Sequence, residues 1–194
     1  MIEAQAQAVL DFWFGAADDP QHRASRAQWF AKDDAFDARI RQRFGGLIER
    51  ALAAELAHWA ATAYGALAQI VVLDQFTRNA FRGSARAFAG DALALAAARA
   101  LVASGGDRTL SGVQRQFVYL PFEHAEDLAA QREALRLFGD LERDEPALAD
   151  LLLWAQRHHD IVERFGRFPH RNAALGRPST PEELAFLQQP GSGF

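Results

Sequence analysis

Cysteine is absent from the 194 residues, which excludes disulfides, thiolate metal sites and cysteine nucleophiles. That absence fits a cytoplasmic protein, the expected location. A basic surplus is also missing: the formal charge is −4, against the usual profile of a dedicated nucleic-acid binder. Long apolar runs are lacking as well. Ala66–Leu73 and Ala92–Ala103 fall well short of the roughly 20 residues that span a bilayer, so no membrane partner is expected. No basic region leads into an apolar stretch at the N-terminus, so no signal peptide is expected. Nor is there a Walker loop, a G-x-G-x-x-G, a G-x-S-x-G elbow, an H-E-x-x-H or a paired Glu-x-x-His of the di-iron type. The expectation is therefore no metal and no cofactor.

What remains is apolar and helical. Hydrophobic residues make up 49% of the chain, with four tryptophans and fifteen phenylalanines, too many for a disordered chain. β-branched residues are sparse, and no segment alternates with period two long enough for a strand. The chain reads as a single all-helical domain over 1–194. A first helix spans Glu3–Phe14 and stops at Gly15. Asp33 or Asp34 caps a long helix with a stripe of Phe36, Ile40, Phe44, Leu47, Leu52 and Leu56, which Gly45-Gly46 bends or divides. Thr62 caps a helix to Asn79, and Ser84 caps another over Ala85–Ala103. Ser111 opens a short helix that Pro121 separates from, or kinks into, Phe122–Leu141. Pro146 begins a helix reaching Phe165. Thr180-Pro181-Glu182-Glu183 is a capping box for a last helix, Pro181–Gln188. Trp13, Trp29, Trp59 and Trp154 are expected in the core. Short connections imply antiparallel neighbours, stacked as a tetratricopeptide-like α-solenoid or a compact bundle.

Charge is uneven along the chain. Glu123–Asp150 carries nine acids against three arginines, and Arg157–Arg177 carries five arginines against two acids. The two stretches either face one another or the second forms an anion site. Within it, Arg164-Phe-Gly-Arg-Phe-Pro-His-Arg-Asn172 sets forked cationic donors among aromatic anchors, which suits carboxylate or phosphate recognition.

Three apolar rows are interrupted by a polar residue: Leu67, Ile70, Val71, Asp74; Phe117, Leu120, His124, Leu128; and Leu151, Trp154, His158, Ile161, Phe165. Each interruption needs a partner if buried. Arg78 stands one turn from Asp74, Asn79 one turn from Gln75, and Glu123 and Asp127 flank His124. Either each is a separately satisfied structural group, or Asp74, His124 and His158 meet in one pocket closed by the arginine-rich turn. Arg78, Arg82 and Arg86 form a ladder that reads as a solvated or acid-paired face.

The blocks Leu73-Asp-Gln-Phe-Thr-Arg-Asn79, Tyr119-Leu-Pro-Phe-Glu-His-Ala-Glu-Asp127 and Arg164–Asn172 resemble the signatures of a bacterial domain-of-unknown-function family, number 924. Val9–Gly15 and Ser179–Glu183 look like its ends. The resemblance implies an all-α, tetratricopeptide-like fold and no established activity. Thr77 stands where the family pattern usually has proline, and Ala125 where it usually has serine.

From these residues the first expectation is a binding module for an anionic small molecule or an acidic peptide end. Its contacts would be Arg78, Asn79, Glu123, His124, His158, Arg164, Arg167, His170, Arg171 and Asn172. The second is an enzyme in which Asp74 orients His124 or His158 as general base. The third is a purely structural role for the polar blocks. A homodimer is left open.

Overall fold

The computed structural model describes residues 2–22 and 24–193. Among them every regular element is helical. In order these are α1 (Ala4–Phe14), α2 (Asp34–Leu52), α3 (Ala63–Ile70), a π-helical stretch (Val71–Phe76), α4 (Thr77–Ala80), α5 (Asp91–Ala103), α6 (Gly112–Glu123), α7 (Leu128–Asp144), α8 (Asp150–Phe165) and α9 (Pro181–Leu187). Short 3₁₀ turns fill several of the connections.

Local chemistry sets most ends. The Asp33 carboxylate accepts the Ala35 and Phe36 amides at the start of α2. The Thr62 hydroxyl accepts the Gly65 amide at the start of α3. Gly15 and Gly166, both at positive φ, close α1 and α8. The capping box of α9 forms as its sequence predicts, with Thr180 and Glu183 exchanging bonds.

Several expectations are corrected. Gly45 and Gly46 leave α2 unbroken; Leu52 is only half-buried, and buried Leu56 lies beyond the helix. Ser84 does not cap a helix through α5, because the chain turns at Gly90. A Cβ at Gly90 would stand 2.1 Å from the Leu73 carbonyl oxygen, so this turn packs backbone against backbone. Pro121 sits inside α6, and the break falls instead at residues 124–127. His124 is therefore the residue ending α6 rather than a member of a continuous stripe. Trp154 is 46% exposed with Arg157 over its ring, whereas Trp13, Trp29 and Trp59 are buried.

The core joins α1, α2, the π-helical stretch and α6 through interlocked rings, with Leu67 and Ile70 of α3 packed among its aliphatic residues. Trp13 contacts Trp29, Phe36, Phe76 and Phe117, and the Trp29 indole N–H donates to the Trp13 carbonyl at 3.1 Å. From there α3 packs on α5, α5 on α6, α6 on α7 and α7 on α8. A small satellite core of Ile161, Val162 and Phe168 seats the turn after α8. This succession brings the π-helical stretch, the start of α5, the end of α6, α8 and the arginine-rich turn to one place.

Candidate functional site

A wide helical turn delivers Asp74. The π-helical stretch interrupts a helix that simple periodicity reads as continuous, and such insertions concentrate at functional sites. Its carbonyls are taken by side chains: Thr77 Oγ1 donates to the Leu73 oxygen at 2.7 Å, and Arg78 Nη1 to the Asp74 oxygen at 2.9 Å. The Asp74 carboxylate is wholly buried and fully engaged. Oδ1 meets His124 Nδ1 at 2.8 Å and Arg78 Nη1 at 2.9 Å, while Gln75 Nε2 donates to Oδ2 at 2.6 Å. With Nδ1–H given to Asp74, the neutral His124 ring keeps its lone pair on Nε2.

Around this pair stand the remaining groups. Gln131 donates to the carbonyls of Glu123 and Ala125, fixing the short loop that carries His124. The His124 and His158 rings lie 6.1 Å apart, and His158 Nδ1 sits 2.8 Å from buried Glu123. His158 packs edge-on against Phe168, and Phe168 against His170. A Cβ built on Gly193 would stand 3.9 Å from the His170 Cβ, so that glycine lies beside the cluster. Arg78 forks onto both oxygens of Asp91, at 2.8 and 3.0 Å, and Arg171 Nη1 reaches the same carboxylate at 3.2 Å.

Electrostatics follow burial and pairing. Burial alone would raise the Asp74 carboxyl, but Arg78 and His124 hold it well below the usual carboxylate range. Burial, then Arg78, pull His124 downward against the attraction of Asp74, so its imidazole is neutral near pH 7. His170 is brought down to about 3 by burial and by Arg171 and His158. Arg171 falls to about 10, through burial and the neighbouring Arg78, despite Asp91 and Glu126.

Sequence-predicted residues divide into two groups. Asp74, Arg78, Glu123, His124, His158, His170 and Arg171 converge. Arg164, Arg167 and Asn172 do not join them: Arg164 pairs with Glu182, Arg167 forks onto Glu183, and Asn172 bonds Ser179 and Glu183. Asn79 is buried in α4. Asp127 caps α7 and pairs with Arg99 rather than serving His124. Arg82 and Arg86 are acid-paired, with Asp37 and Glu49. The acidic and basic stretches meet at Glu126–Arg177 and Glu123–His158, while Asp140 and Asp144 pair with other arginines. Asp91, Phe88 and Glu126 were missed. Asp91 sits where any first-turn acid would, and only a contact with Arg171, 80 residues away, reveals its role. Among the described residues, a metal-type grouping of His159, Asp160 and Glu163 lies on α8, outside the cluster.

A family model described as a bacterial protein of unknown function (DUF924) matches residues 9–191. A solved structure of a protein of unknown function from Agrobacterium tumefaciens is 44% identical, with a TM-score of 0.81 over 95% of this chain and 97% of that one. No curated protein matches. The match spans the three sequence blocks that build the cluster.

Proposed function

We propose that this chain, which belongs to the bacterial DUF924 family of unknown function, is a helical recognition protein whose polar cluster receives an anionic group. One observation carries the reading: Arg171 is only 5% exposed, yet its guanidinium is incompletely paired. It reaches, at 3.2 Å, a carboxylate that Arg78 already grips with both nitrogens, and its buried Nε has no hydrogen-bond partner. A buried cation without full compensation costs several kcal/mol. An anion of a small molecule or of a peptide end would supply the missing partner, with His124 orienting it. None of the helices among the described residues is long and apolar enough to cross a membrane.

The test is a titration of inorganic phosphate and small carboxylates into the parent protein, followed by the Arg171 Nε–H resonance and by melting temperature. Saturable perturbation with stabilisation is expected, lost in R171M. A resonance indifferent to every anion sinks the reading.

The 2.8 Å contact between buried Asp74 and His124 favours a second role on the same ligand. Asp74 fixes the tautomer that leaves Nε2 as a general base. On that reading H124Q abolishes turnover of an anionic substrate while binding survives. Turnover that persists in H124Q removes it.

A further inference from the structure

We infer that the outer face of α8 is a self-association surface, on which a second copy of this chain docks antiparallel about a two-fold axis passing between Leu153 and Trp154. The inference is independent of the polar cluster. It stands on where apolar surface is left open and on how charge is arranged around it.

Four large apolar side chains are exposed among the described residues: Phe30, Leu153, Trp154 and Leu184. Leu153, at 62% exposure, and Trp154 stand side by side near the start of one helix. That helix ends the packed row in which α6 lies on α7 and α7 on α8. Its second half is closed, because Ile161 and Val162 join Phe168 in the satellite core, with Phe165 and Phe186 against it. Its first half is open. Asp150, Leu153, Trp154 and Arg157 are all exposed, and their spacing of i, i+3, i+4, i+7 places them on one helical face. Exposed Pro146 and Ala147 extend the apolar surface beyond the helix start. The last unit of a stacked helical row needs a polar outer face to stay apart, and this one presents tryptophan and leucine instead.

The charges around the patch identify its occupant. Asp150 lies three residues before Leu153, and Arg157 three residues after Trp154. Neither enters an ion pair among the described residues, whereas Arg164, Arg167 and Arg177 each hold a carboxylate of their own. Arg157 is stacked on Trp154 instead, 4.6 Å from a ring centroid, which keeps its charge at the edge of the apolar patch. When a second α8 crosses the first antiparallel, with residues 153 and 154 at the crossing, each Asp150 meets the second copy's Arg157. One surface thus supplies both halves of two ion pairs, which is the self-complementarity that a two-fold interface demands. A parallel crossing would set like charges against one another. Six residues fall well short of the roughly 20–30 that each side of a stable complex contributes, so the association is weak and concentration-dependent.

The experiment is sedimentation velocity on the full chain between about 10 μM and about 1 mM, the range in which small interfaces associate. The parent should shift from monomer toward dimer. D150R leaves two cations flanking the patch and R157D two anions, so each variant alone should associate at least about tenfold more weakly than the parent. An equimolar mixture of D150R and R157D should associate again, because each introduced charge then meets its opposite on the other chain. A parent that stays monomeric throughout hands the face to some other partner and overturns the inference. Single variants that associate like the parent, or a mixture no better than its components, overturn the antiparallel pairing. Should either variant unfold, L153C still decides: the chain has no other cysteine, so oxidation can join two copies only at the proposed axis. Linkage no faster than in Q42C, on exposed α2 surface, also overturns the inference.

Discussion

Arg167 and Arg171 sit four residues apart on one turn and live in opposite electrostatic circumstances. Arg167 forks onto Glu183 at 2.6 and 2.8 Å and donates to the Pro178 carbonyl, and Asn172 and the Thr180 amide satisfy what remains of that carboxylate. Every group there has its own partner, and the result is a clamp that holds α9 to the turn. Arg171 is pushed deeper, shares Asp91 with Arg78 and leaves Nε unmatched. The same residue type thus serves two ends. A cation with its own carboxylate stabilises the architecture, whereas a buried cation on a shared carboxylate is held ready for something else.

Breaking the cluster at its centre should have the largest effect. D74A strips Arg78 and His124 of their common carboxylate and leaves the buried Arg78 guanidinium with Asp91 and the residue-74 carbonyl. Urea denaturation should show a loss of about 3–5 kcal/mol, the range for removing one partner of a buried ion pair. A loss of less than about 1 kcal/mol would mean that the groups are not coupled through Asp74. Breaking the clamp comes next. R167M should lower the unfolding midpoint by less than D74A does, and amide exchange should quicken selectively in α9. Uniform exchange across the chain would contradict the clamp.

A pH experiment sharpens the contrast further. His170 has a native pKa of about 3 against a usual 6.5, so the unfolded chain takes up a proton first as pH falls. Stability from this group is present above 6.5 and drains away between 6.5 and about 3. Asp74, held below its usual 3.8, adds a further loss in the same direction under stronger acid. The slope of stability against pH should therefore be positive across that window, and H170N should flatten it. An unchanged slope in H170N would place the acid sensitivity elsewhere.

The helices were legible because each carries its own punctuation: Asp33, Thr62, Gly166 and the Thr180–Glu183 box cap or stop their helices within a few residues of sequence. The failures share a cause, namely contacts between distant segments. Gly90 breaks a helix because of the Leu73 carbonyl, and no pattern near Gly90 announces it. Leu67 and Ile70 of α3 and Val71 and Asp74 of the π-helical stretch are all buried, so the row they form looks like that of an ordinary helix. Trp154 reads as core because Leu151 and His158 flank it at helical spacing, yet it lies on the outside of α8. For the site, the convergence of Asp74, His124 and His158 followed from polar residues breaking apolar rows. Composition could not say that Arg164 and Arg167 are bound to α9 acids while Arg171 is not, since all three occupy one motif.

The central claim is that Arg171 is retained for a partner outside the chain rather than for the fold. Chemical denaturation of R171M measures this directly, because methionine fills similar volume without charge and leaves Asp91 to Arg78. The midpoint should be unchanged or higher than that of the parent. A loss approaching that of D74A would show Arg171 to be a structural cation and contradict the account.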